Sequence, residues 1–153
     1  MPNNHEYLIN LKSLIEHQLS ERYRAILVLF EPDQKASQQA QKLSKKVNGQ
    51  YFNLLNYFED KPELCERIDR FGIDELEDFL VDHPFTEEIV IVDRIDFLLD
   101  TWSSNEREAF VNLLLAKRLD SFERNVKLFV FFALDDIYLR QTELLNTKNE
   151  SRI

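Results

Sequence analysis

Residues 88–93 read Glu88-Ile89-Val90-Ile91-Val92-Asp93, four consecutive β-branched residues closed by an acid. Such a run offers water no polar side, so it predicts a strand buried on both faces, as in a parallel sheet covered by helices. Similar runs lie on either side of it. Ala25-Ile26-Leu27-Val28-Leu29-Phe30 predicts a first strand, residues 51–55 a second, and residues 126–133 a fourth. Glu31-Pro32-Asp33 ends the first, because proline cannot supply a central-strand amide.

The segments between the strands have helical spacing. In residues 4–20, Leu8, Leu11, Ile15 and Leu19 form one apolar stripe, which makes 1–20 an amphipathic helix packed on the core. Residues 34–47 turn Ala36, Ala40, Leu43 and Val47 inward, with Asp33 as cap and Asn48-Gly49 as a left-handed stop. Residues 59–82 form a charged helical stretch that Gly72 divides, with Asp74 capping its second part. Residues 104–123 form another helix, capped by Ser103 or Ser104, and a short one follows from Asp135 to about Leu145. The stretch 147–153 is a polar tail. Helix and buried strand alternate four times, without repeat or linker. The prediction is a single domain over 21–146, a three-layer α/β fold. Its mainly parallel sheet has about four to five strands, with helices on both faces.

Composition narrows the function. The 153 residues allow one sizeable core, and 44% are hydrophobic, with 12 Phe. Only Gly49 and Gly72 are glycines, against an average usage of roughly 7%. A glycine-rich phosphate loop is therefore excluded. The net charge of −9 is concentrated: residues 59–100 hold 15 acidic and 4 basic groups, while the rest of the chain is close to balance. That middle third disfavours direct contact with nucleic acid or anionic lipid, and suits a basic partner or plain solubility. Cys65 is the only cysteine and reads as a small packing residue on a helix. Three scattered histidines (His5, His17, His83) support neither a zinc site nor a Cys–His pair. The polar start leads into no apolar run, and no stretch approaches about 18 apolar residues, which reads as a cytoplasmic protein off the membrane.

Ligands of parallel α/β sheets bind beyond the carboxyl ends of the strands. Three acidic stations fall there: Glu31 and Asp33, Asp93 and Asp96, and Asp135 and Asp136. In Asp93-Arg94-Ile95-Asp96 the apolar run and its acids resemble the Walker B region of P-loop NTPases, in particular the AAA+ and related branch. That likeness implies a P-loop-NTPase-like fold over residues 5–145. In the family the first acid holds a magnesium-bound water and a nearby acid polarises the attacking water. It makes Asp93 and Asp96 the candidate catalytic residues and Asp93 the candidate metal ligand.

The family's phosphate loop, Gly-x-x-x-x-Gly-Lys-Ser/Thr, should follow the first strand. Here the chain reads Glu31-Pro32-Asp33-Gln34-Lys35-Ala36-Ser37-Gln38. Both glycines are gone, so consecutive amides cannot all turn to a phosphate without a Cβ in the way. Glu31 and Asp33 bring carboxylates to the phosphate seat. Lys35 comes two places early for the motif lysine, and Ser37 stands alone. Phe129–Ala133, where the family carries its sensor residue, has no Asn, Ser or Thr. The likeness thus implies a degenerate domain that does not hydrolyse ATP, with no cofactor expected and ATP with magnesium kept as the alternative. Among short P-loop proteins the chain resembles the BrxF component of BREX phage-defence systems, which pairs a strand-end Asp with an acid three places later. Members of that family ordinarily keep an intact phosphate loop. The resemblance implies a subunit of a multiprotein antiviral complex, contacting a larger ATPase or other protein subunit.

Three other readings use the same acids. A magnesium-dependent nuclease would gather the strand-end carboxylates round metal ions, but needs basic residues to hold DNA. A receiver-like domain would join Glu31, Asp33 and Asp93 for phosphoryl transfer, but the interval of about sixty residues is long for that fold. A DNA-mimicking inhibitor would explain the acidity without any need for the Asp93 strand.

Overall fold

The computed structural model describes residues 11–17, 25–31, 35–116 and 126–134, and in it the four apolar runs pair into one sheet. The strands are β1 (Ala25–Phe30), β2 (Gln50–Asn53), β3 (Ile89–Asp93) and β4 (Leu128–Leu134). Their spatial order is β1-β4-β3-β2, and every pairing is parallel. β3 is buried along its whole length and β4 along all but Leu134, as expected of central strands without a polar side.

The connections explain the two cores. A chain that crosses from β1 to β2 and then steps back through β3 to β4 must place its crossovers on opposite faces of the sheet, if all share one hand. One face carries Ile26, Val28 and Phe30 of β1, Ile89 and Ile91 of β3, and Leu128, Val130 and Phe132 of β4. Helix α1 (11–17), through Leu11, Leu14 and Ile15, and helix α2 (Ala36–Lys46), through Ala40 and Leu43, cover it. The opposite face carries Leu27, Val90, Val92, Phe129, Phe131 and Ala133. It is covered by α3 (Leu54–Glu59), α5 (Ile73–Asp82), α6 (Asp96–Leu99) and α7 (Ser104–Ala116). Short α4 (Pro62–Cys65) and a 3₁₀ turn (Ile68–Arg70) link α3 to α5. The phenylalanines fill both layers: Phe30 stacks on Phe132 at 5.0 Å, and Phe110 meets Phe131 edge-on at 5.5 Å.

Element ends differ in places from the sequence-based expectations. The second strand stops at Asn53, because the Asn53 side chain accepts from Asn56 N (3.0 Å) and starts α3 there. Lys35, not Asp33, is the N-cap of α2; Asp33 lies outside the described residues. The left-handed stop of α2 is Asn48 (φ 55°), and Gly49 N closes the helix on Ser44 O at 2.8 Å. Gly72 is the N-cap of α5, its amide donating to Glu75 Oε1 (3.1 Å), while Asp74 sits in the first turn. Ser103 caps α7 reciprocally with Glu106, at 3.2 Å in each direction. Cys65 is exposed, with its thiol directed at Phe58 O (2.9 Å), so it is not a packing residue. Residues 1–10 and 18–20, the part of the expected helix over 117–123, Asp135, Asp136, the helix expected from Asp135 and the tail also lie outside the described residues.

Gly49 is needed for a different reason than chain reversal. A Cβ there would lie 2.9 Å from Ile89 O, the backbone of the central strand. Gly49→Ala must push β2 away from β3 and is expected to cost about 1–3 kcal/mol. Chemical denaturation of the variant measures this, with an unchanged midpoint as the contrary result.

Candidate functional site

Asp93 ends β3 and is only 2% exposed. Side chains alternate along a strand, so Asp93 shares the α2 face with Ile91. In the parallel register Tyr51 pairs with Ile91 and Asn53 with Asp93. The Tyr51 ring therefore stands one pleat behind Asp93 on the same face, and its hydroxyl donates to Asp93 Oδ2 at 2.6 Å. The other oxygen, Oδ1, accepts the Arg94 backbone amide at 2.9 Å. Arg94 has φ 63°, a left-handed turn unusual for a non-glycine residue, and the carboxylate is the acceptor that this turn brings its amide to.

Two further side chains join this cluster. Burial, followed by the hydrogen bond to Asp93 and its negative charge, raises the Tyr51 phenol above its ordinary value; Gln41 and Ser37 of α2 hydrogen-bond to it and pull it back. Ser37, singled out as a phosphate-loop position, is thus turned to the Tyr51 hydroxyl. Lys35 is exposed, in a left-handed conformation (φ 51°, ψ 55°), and its carbonyl accepts Gln38 N and Gln39 N. No described contact brings Lys35 to Asp93. Glu31 is exposed at the end of β1.

Asp96 has a separate task. Its Oδ1 accepts Leu134 N at 2.8 Å, which ties the turn after β3 to the end of β4. Burial raises the Asp96 carboxyl above its ordinary value, Leu134 N–H opposes this, and the charges of Asp100 and Asp93 add to the rise. The folded protein therefore holds this proton more tightly than the unfolded chain. The group's contribution to stability falls as pH rises through the ordinary carboxylate value towards the raised one. Asp96→Asn keeps an acceptor for Leu134 N and carries no charge. Its unfolding midpoint relative to wild type is expected to be more favourable at pH 7 than at pH 3, as thermal unfolding at both values would measure; a pH-independent difference would contradict this.

Sequence reasoning located Asp93, Asp96 and Ser37, and the structure brings Ser37 to Tyr51 and so to Asp93. It missed Tyr51 and Gln41. The signal for Tyr51 was a polar-tipped ring inside a short apolar strand, readable only with the register of β2 against β3. Among the described residues, no group of three or more His, Cys, Asp or Glu side chains could hold a metal ion. Nor is any described helix long and apolar enough to cross a membrane. Compared with known proteins, the chain matches no family model, no curated protein and no solved structure.

Proposed function

We propose that the chain is a non-catalytic interaction subunit, a pseudo-ATPase built on a P-loop-like α/β domain. The observation that carries this reading is the state of Asp93. Both of its oxygens accept hydrogen bonds from the protein itself, and the group is buried under Tyr51. An acid that serves magnesium must offer its oxygens to the ion's water shell; this one is committed to holding β2 and the Arg94 turn on β3. Asp96 is similarly engaged with the end of β4.

The strand order supports the P-loop part of the reading. In the AAA+-like branch that the layout resembles, the sensor strand lies between the phosphate-loop strand and the Walker B strand, as β4 lies between β1 and β3. The residues present do not fit ATP and magnesium: an exposed carboxylate at Glu31, an exposed left-handed Lys35, and Ser37 turned to Tyr51 replace the phosphate cradle. The role implied is recognition of protein partners through a domain that has kept a nucleotide-binding layout. Membership of a multiprotein antiviral complex, which the BrxF resemblance implies, belongs to the same proposal.

Isothermal calorimetry tests it. Titration with ATP, with and without magnesium, is expected to give no saturable heat. Submicromolar binding would overturn the reading, and metal-dependent DNA cleavage lost in Asp93→Ala would replace it with the nuclease.

A further inference from the structure

On the face of the sheet opposite the Asp93 side chain, beside β2, five rings gather: Phe52, Tyr57, Phe79, His83 and Phe85. Their centroids lie 4.5–6.3 Å apart in nearly every pairing. Phe85 joins them to the core through Phe129 at 5.6 Å. All but Phe85 remain partly exposed. An open groove of about 330 Å³ runs along this cluster, lined by Tyr57, Phe79, His83 and Pro84 on the ring side and by Glu75, Asp78 and Asp82 of α5. Positions 75, 78, 79 and 82 share one stripe of the helix, so the carboxylates flank the Phe79 ring. Asp78 and Asp82 are exposed and have no hydrogen-bond or ion-pair partner among the described residues.

Each of these features selects for a cation. Ring faces carry negative potential, and an open groove beside them with unpaired carboxylates adds a counter-charge. The chain already uses one ring in this way: Lys61 Nζ sits 4.9 Å above the Tyr57 centroid. Burial, and then the charge of Lys61, hold the His83 imidazole below its ordinary value, which disfavours a positive charge on the ring. A guanidinium matches the groove better than an ammonium, because it stacks on rings and forks onto carboxylates at once. The groove also lies within the stretch 59–100, which holds 15 acidic residues.

We propose that this groove takes an arginine side chain presented on a basic segment of a protein partner. The inference rests on the interaction-subunit reading and supplies the chemistry of the partner. Its test uses a fluorescein-labelled Arg-Ser-Arg-Ser-Arg peptide, followed by anisotropy near physiological salt, with the matching lysine peptide alongside. Saturable binding is expected, tighter for arginine than for lysine. Asp78→Asn with Asp82→Asn should weaken it about tenfold, and Tyr57→Leu, which removes the hydroxylated ring but keeps apolar bulk, by a similar factor. Glu66→Gln with Asp69→Asn removes the same charge from the same acidic stretch outside the groove lining, and should change affinity less than about twofold. Should Tyr57→Leu unfold the domain, the charge-only pair still decides the matter. Absence of saturable binding, equal binding of both peptides, or equal weakening by the two charge-removing pairs would overturn the proposal. ATP binding in calorimetry would instead overturn the non-catalytic reading, so the two failures are distinguishable.

Discussion

Asp93→Ala is expected to lower the thermal unfolding midpoint by roughly 4–12 °C, a loss of about 2–3 kcal/mol. The substitution removes the acceptor of two hydrogen bonds at a site that is 2% exposed. It leaves the Tyr51 hydroxyl and the Arg94 amide without that partner, and hydrogen bonds to a charged group contribute more than neutral ones. Tyr51→Phe removes only one of the two and should cost about half as much. A double-mutant cycle between the positions should return a coupling of about 1 kcal/mol or more, because the two side chains touch. Acids poised for catalysis behave in the opposite way. They are held in a strained or self-repelling arrangement, and their removal commonly stabilises the fold. A midpoint that stays level or rises in Asp93→Ala would therefore contradict the structural role given to this acid.

Phe131→Ala is expected to cost more still, about 3–5 kcal/mol. Phe131 is fully buried at the centre of the sheet, paired with Leu27 of β1 and Val92 of β3. Its ring meets Phe110 of α7 at 5.5 Å and Phe129 at 6.1 Å. The rings of Phe110 and Phe129 beside it are rigid and cannot collapse fully into the space it would leave. With a domain stability of typically about 5–15 kcal/mol, such a loss approaches the threshold for folding. Urea denaturation measures it, and a loss below about 1 kcal/mol would mean that Phe131 does not pack beneath α7 in the core described.

The fold was legible where the sequence was monotonous. Ile89–Val92 and Ile26–Phe30 have no polar side, and only the interior of a covered parallel sheet accommodates that. The expected strands at residues 25–30 and 88–93 therefore coincide closely with β1 and β3. Legibility fell at Leu54 and Leu55, which suit a strand as well as a helix; the Asn53 cap decides for the helix. It fell again at Lys35, where a left-handed cap is made by a residue with no preference for that conformation. The site was half legible. Asp93 and Asp96 stand out as acids at the end of an apolar run, yet their partners, Tyr51 and Leu134 N, lie 42 and 38 residues away and meet them only through strand register. The acidity of residues 59–100 was legible as a whole, whereas the ring-lined groove depends on how α3 and α5 pack beside β2.

Thermal unfolding of the wild-type protein with and without millimolar magnesium–ATP bears most directly on a strand-end acid that has become structural. A ligand at 100 times its dissociation constant stabilises a fold by about 2.7 kcal/mol, which a midpoint readily registers. No shift is predicted in wild type, alongside a clear fall in Asp93→Ala in either buffer. A rise of several degrees with magnesium–ATP that disappears in Asp93→Ala would contradict it.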